Sequence, residues 1–362
     1  MIAIAFLALM GTAGANVWLV PERFALIQDA VASESVVNDD TVSVWVHTVP
    51  PDTYYEHVAD TTGKSLFIVN RSFLPAGGTG YDSSWDHVVI RGSIATSPVV
   101  TMTGDTLVVP RVVLKGFTIT GGGGTYGGGI YCRDVVAVLE KNHVHDCVAG
   151  TSGGGIFYLP RDNDSDETLY VRDCLIDSND AGYDGGGIYF ARSSLGNTEI
   201  RLQGNEICEN TAVRRGGGVY MHRPTQQVES PFGQNDTILI DNVVHHNRAT
   251  GGVMVLGGGI YSEKMYAAWV KRNQITDNQP DGICMEGDTM GGPLNLGKPE
   301  DPGFNVLMGN GPENGGSCDY RLTGEFGVRG FAVGNNWGTL DAATIRSHIQ
   351  LGNFPNYPLL DP

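Results

Sequence analysis

The chain has 362 residues, with 23 basic against 40 acidic side chains and a net charge of −17. That balance argues against nucleic acid, because no basic stripe is available to displace phosphate counterions. It also argues against tight binding of anionic glycans unless a cation bridges the two. Glycine, 51 of 362 residues, is about twice as frequent as usual, yet it falls in a repeat, so disorder is the poorer explanation.

The first apolar run, Ile2–Met10, is followed by Ala13-Gly14-Ala15. This reads as a secretory leader over residues 1–15 with an A-x-A cleavage site, so the mature chain is expected to start at Asn16. The basic n-region is missing, and a buried first strand is the alternative reading. No later run approaches the ~18 apolar residues of a membrane helix, so membrane insertion is not expected. Next, Phe24-Ala25-Leu26-Ile27-Gln28-Asp29-Ala30-Val31 predicts an amphipathic helix near 22–33, and 40–46 and 52–56 predict strands.

From residue 127 onward a triplet recurs. It reads Gly127-Gly128-Gly129-Ile130-Tyr131, Gly153-Gly154-Gly155-Ile156-Phe157 and Gly185-Gly186-Gly187-Ile188-Tyr189, then Gly216-Gly217-Gly218-Val219-Tyr220 and Gly257-Gly258-Gly259-Ile260-Tyr261. Asp281-Gly282-Ile283-Cys284 is a weaker sixth copy. The spacings are 26, 32, 31, 41 and 23 residues. Between triplets lies a second pattern, Asn-x-Ile/Val-x-x-Asn, starting at Asn142, Cys174, Asn205, Asn242 and Asn273; Phe117-Thr118-Ile119-Thr120-Gly121-Gly122 is an earlier degenerate copy. A fixed core with variable spacing marks a solenoid of stacked coils. Coils as short as 23 residues cannot hold a helix pair, but they fit one turn of a parallel β-helix with three short strands. Identical residues then stack at ~4.8 Å. The repeated Ile or Val forms an inward stack, and the Asn side chains can bond one another and the turn backbone.

The segments 114–122 and 127–131 resemble those of bacterial secreted right-handed parallel β-helix repeat proteins of the pectin-lyase-like superfold. The helix near 22–33, the first strands, Asn335-Asn336-Trp337-Gly338-Thr339 and Ala342-Ala343-Thr344-Ile345 resemble that family's cap helix, first coil and closing segment. The triplets are also similar to the repeats of polymorphic outer-membrane proteins, although the closing segment is read as a cap and not as a translocator barrel. The resemblance implies an all-β fold, a right-handed parallel β-helix of about nine or ten coils over 16–334. A closing cap is expected at 335–362, with a short helix near 341–350. It implies a secreted or cell-surface module that binds carbohydrate or serves a structural or adhesive role. The alternative is a polysaccharide lyase or glycoside hydrolase, whose centre would place clustered carboxylates beside Arg, Lys or His on one outer face.

The repeat alignment also bears on the six cysteines. Cys147 and Cys174 occupy Asn positions on successive coils, on the order of 16 Å apart at strand rise, too far for a disulfide. They read as small buried ladder residues; Cys284 and Cys318 are the pair least excluded.

Three candidate sites follow. Alternation turns the residue after each inward Ile or Val outward, so Tyr131, Phe157, Tyr189, Tyr220 and Tyr261 are expected in one exposed column. That column is a glycan platform or a self-packed ladder. Loops at 159–167, 191–198 and 222–236 are expected to leave the solenoid on one side and wall a groove beside it. The first of them holds Asp162, Asp164 and Asp166, spaced for Ca²⁺; Glu167 stands where an EF-hand needs Gly, and a solvated acidic loop is the other reading. Last, the alignment stacks Glu209, His246 and Asp277 as neighbours. They are catalytic candidates near the carboxylate spacing of inverting glycosidases, or a surface polar ladder. Arg214, Arg215 and Arg223 are the nearest basic residues.

Overall fold

The computed structural model describes residues 15–44, 52–61, 63–70, 88–104, 109–161, 167–191, 198–222, 237–251, 255–263, 268–287, 296–297, 301–311, 318–324, 334–339, 341, 344–345, 347 and 349–351. They build a parallel β-helix. A typical coil passes through Ile130–Arg133 in a first sheet, Val136–Glu140 in a second and His143–His145 in a third. The two-residue strand Val148–Ala149 then leads to the next glycine triplet. The first sheet has ten strands and the other two have nine each. Every pairing is parallel and joins successive coils without a slip, so Ile130, Ile156, Ile188, Val219, Ile260 and Ile283 form one stack. All six are fully buried, as is the facing stack Val144, Ile176, Ile207, Val244, Ile275 and Leu307. Each such side chain contributes about 1.5–3 kcal/mol by leaving water.

The three glycines of a triplet answer three different constraints. Gly185 has φ +68°, a left-handed conformation that a side chain resists. A Cβ on Gly186 would lie 2.4 Å from the carbonyl oxygens of Gly217 and Thr211. One on Gly187 would lie 2.7 Å from Gly218 O and 2.9 Å from Asn210 Nδ2. The last contact shows that the triplet makes room for the asparagines.

Two asparagine ladders run the length of the repeats. In one, the backbone N–H of Asn205 donates to Asn242 Oδ1 at 3.0 Å, while Asn205 Nδ2 donates to Val171 O and to Asn242 Oδ1, each at 2.9 Å. Asn242, Asn273 and Asn305 repeat the pattern up to Asn335. The other ladder runs through Asn179, Asn210, Asn247, Asn278 and Asn310 to Asp319. Cys147 takes the Asn place at the low end of the second ladder, and Cys174 takes it between Asn142 and Asn205 in the first, where its Sγ accepts from the Asn142 N–H at 3.4 Å. All six cysteines are free and buried, including Cys284 and Cys318.

A short helix stands at one end and an added strand at the other. The first helix is one short element, Ile27–Ala32, whose Ile27, Ala30 and Val31 are buried. Leu26, at its N-cap, makes no side-chain bond. Instead the Glu56 carboxylate accepts the N–H groups of Ile27 and Gln28, at 3.1 and 2.8 Å, which satisfies donors that a helix start leaves open. At the far end Ile349–Leu351 is a strand, paired with 320–322 as the last of the first sheet. Among the described residues of the expected helix at 341–350, Thr344, Ile345 and Ser347 are helical. Adding a strand satisfies the open sheet edge, while Trp337 and Ile345 join the core. Residues 1–14, with the leader reading, and 352–362 lie outside the described residues.

Candidate functional site

The outer face of the first sheet carries three columns of side chains. The middle one is the aromatic column. Tyr131, Phe157, Tyr189, Tyr220 and Tyr261 stack in order, with centroid spacings of 5.5, 4.9, 5.0 and 5.3 Å and interplanar angles of 10° or less. The alternation is as expected, but the exposure is not. Phe157, Tyr220 and Tyr261 are buried, and Tyr131 and Tyr189 only partly exposed. Ring faces spent on one another are closed to a sugar, leaving outward edges and hydroxyls.

A second column lies two residues further along each strand, where alternation again points outward. Ala191 is in register with His222, and Glu263 with Glu286. The third column precedes the triplets, where Asp184, Arg215 and Leu256 pair in sequence. Between Tyr189 and the end of the repeats these columns converge on a charged cluster. His222 Nδ1 lies 2.7 Å from Glu263 Oε2, and the Tyr220 hydroxyl donates to the same oxygen. The Tyr261 hydroxyl donates to Glu286 Oε2, which is also 3.7 Å from the Arg215 guanidinium. Arg215 lies over both rings, 5.1 Å from Tyr220 and 5.0 Å from Tyr261. Buried Asp184 anchors it, with Nε to Oδ1 at 3.3 Å, and also takes Arg214 at 2.6 Å.

The electrostatics fix the protonation state of Glu263 and of the two phenols at neutral pH. Burial alone would raise Glu263, but the hydrogen bonds from His222 and Tyr220, with the charges of His222 and Arg215, pull it down to about 2. Burial, then the Glu263 charge, pushes the Tyr220 phenol far above its ordinary range; burial and the Glu286 bond do the same to Tyr261. Both phenols are therefore standing donors and Glu263 a standing acceptor. Side-chain exposure rises from 14% at Arg215 to 32% at His222, so the cluster opens to solvent at its histidine end. At the same corner first-sheet strands end at Leu159, Ala191, His222 and Glu263 and second-sheet strands begin at Glu167, Thr198, Thr237 and Ala268; most of the three loops expected to wall a groove there lies outside the described residues. Sequence reasoning missed Glu263, Glu286 and His222 because it followed the outward alternation only as far as the aromatic residue. Continuing it two residues finds all three.

The other sequence candidates lie elsewhere. Glu209, His246 and Asp277 do occupy equivalent turns of successive coils, at φ 56°, 54° and 56°, one residue before the asparagines of the second ladder. Among the described residues no hydrogen bond or ion pair joins them; His246 instead meets the adjacent His245, Nδ1 to Nδ1, at 2.7 Å. Asp162, Asp164 and Asp166, with their Ca²⁺ reading, lie outside the described residues, as does Arg223. Glu167, just beyond, is buried and accepts the Arg161 N–H at 2.9 Å. No helix among the described residues is long and apolar enough to cross a membrane.

No family model, curated protein or solved structure matches the chain. The structure therefore defines the class of architecture, a parallel β-helix, and an ionisable cluster on the outer face of its first sheet.

Proposed function

We propose that this protein is a secreted or cell-surface β-helix that binds a neutral glycan at the cluster of Arg215, His222, Glu263 and Glu286. The observation that carries this reading is the fixed mixture of donors and acceptors on rigid strands, open to solvent at the His222 end. A polyhydroxyl ligand needs both kinds of partner, and sites built on strands hold them in place. Arg215 is compensated by Asp184 and Glu286, which leaves no surplus positive charge for a polyuronate. The aromatic column contributes phenol hydroxyls and ring edges at Tyr131 and Tyr189, not a stacking platform.

A second reading, glycoside cleavage, is favoured by one observation. Glu263 and Glu286 are partners on adjacent strands, whose backbones run ~4.8 Å apart, and retaining glycosidases place two carboxylates about 5–5.5 Å apart. Affinity electrophoresis against neutral glucans, mannans and xylans beside polygalacturonate tests the binding. Retention in a neutral gel that falls at least tenfold in E286Q and H222A supports the site. Retention unchanged in both removes it. Assays of the same panel for new reducing ends and for unsaturated products separate hydrolase, lyase and plain binding.

A further inference from the structure

The outer face of the third sheet holds a group of side chains that glycan binding does not use. Strands Glu206–Cys208 and Val243–His245 pair with Cys208 opposite His245. Ile207 and Val244 point into the core, so alternation sends Glu206, Cys208 and His245 out on one side. One ligand atom from each of these three lies within 4.8 Å of the others. His245 Nε2 is already 3.1 Å from Glu206 Oε1. Bonds of about 2.0–2.2 Å to nitrogen and oxygen at a tetrahedral metal put those two ligand atoms roughly 3.3–3.5 Å apart, so this edge needs almost no movement.

We propose that Cys208, His245 and Glu206 form a transition-metal site, with Zn²⁺ as the best-matched ion. A thiolate with an imidazole and one carboxylate selects a borderline or soft dication over Ca²⁺ or Mg²⁺. Three protein ligands leave a fourth position for water, and Glu206, the most exposed of the three, sits on the solvent side. Support for the imidazole comes from His246, whose Nδ1 is 2.7 Å from His245 Nδ1. In the metal-free chain a carboxylate can only accept, so His245 Nε2 carries the proton toward Glu206 and Nδ1 accepts from His246. On binding, Nε2 gives its lone pair to the metal, the His245 proton moves to Nδ1 and is donated to His246 Nδ1, His246 shifts its own proton from Nδ1 to Nε2 through solvent, and the Cys208 thiol proton leaves to solvent. Asp177 flanks Cys208 on the preceding strand but is engaged by His143 at 2.5 Å.

Titration of the full chain with Co²⁺ tests this. The expected result is one equivalent bound, with a near-ultraviolet thiolate-to-cobalt band and visible bands of tetrahedral intensity, both bleached by Zn²⁺. C208S should lose the near-ultraviolet band, and E206Q, a surface change that spares the fold, should weaken binding on the order of tenfold or more. C284S should keep the full spectrum. A titration without the thiolate band, a band that survives in C208S, or an E206Q protein that binds as tightly as wild type would each overturn the site.

Discussion

At a ladder position one side chain can make four hydrogen bonds, and the residue type can be judged by how many it satisfies. Asn210 Nδ2 donates to Ile176 O and to Asn247 Oδ1, and its Oδ1 accepts from the N–H and the Nδ2 of Asn179. Cys174 occupies the same kind of place with a weaker donor, its Sγ 3.5 Å from Leu139 O. Cys174→Asn should therefore raise stability by about 0.5–1.5 kcal/mol, read as a higher urea midpoint at unchanged slope. A lower midpoint would mean the pocket is sized for sulfur. Asn210→Ala should cost on the order of 3 kcal/mol, because it leaves several buried groups unpaired. At Glu263 the folded carboxyl is held at about 2, against the ordinary 4.5. A depressed carboxyl stabilises the fold above its unfolded value, and that contribution is lost as pH falls from about 4.5 toward 2. E263Q should thus unfold less steeply with acid over that window than wild type does. Thermal melts at pH 5, 4, 3 and 2.5 measure it, and parallel curves for the two proteins would refute the assignment. The ladders were legible in the sequence because Asn-x-Ile/Val-x-x-Asn repeats with its spacing intact. Glu263 was legible only by carrying the outward alternation two residues past the aromatic, because only two coils carry Glu at that position and no repeat announces it.

At the scale of the element, the glycine triplet and the aromatic that follows it form one device. The triplet brings the chain close under the next coil, and the aromatic then closes over it: a Cβ on Gly185 would touch Tyr189 Cβ at 2.8 Å. Gly186→Ala should therefore destabilise the fold, by more than the change in backbone freedom alone, since two carbonyls stand in its way. The column should behave as core, and Tyr261→Phe separates packing from chemistry. It keeps the stack but removes the donor to Glu286, so it should cost only about 1–2 kcal/mol, whereas Tyr261→Ala should cost about 3–5 kcal/mol. Equal losses in chemical denaturation would place all of the value in the hydroxyl. The alternation of these strands could be read from the sequence, since it follows from strand geometry. The burial of Tyr220 and Tyr261 could not, because it depends on Arg215 and Leu256 from the preceding turn and on what neighbouring coils set beside them. The end elements show the same limit: 341–350 has helical composition locally, but an open sheet edge recruits Ile349–Leu351 as a strand.

At the scale of the whole molecule, a solenoid is held by nearest neighbours, so its stability is close to a sum over coils and their interfaces. Each ladder asparagine bonds the coils next to it, several adding a carbonyl of their own coil, and from Ile130 to Ile260 each inward Ile of the first sheet meets an aliphatic side chain on both sides. Removing residues 188–218, one complete coil of 31 residues, should therefore leave a folded protein. Gly187 would run into Val219 as it now runs into Ile188, Asn179 would meet Asn247 in place of Asn210, and Phe157 would stack on Tyr220. The same excision takes away Arg215, Tyr189, Glu206 and Cys208. The shortened chain should keep the β-sheet circular dichroism spectrum and a cooperative melt, yet lose both glycan retention and the thiolate-to-cobalt band. An excision of equal length displaced by half a coil, 204–234, joins the end of a second-sheet strand to the segment that leads back into the second sheet, and leaves that coil without its third-sheet and first-sheet strands in the middle of the stack. It should fail to fold. If the in-register deletion also failed, the repeats would not be interchangeable, and the long-range order of the solenoid would have to rest on its ends and not on its coils.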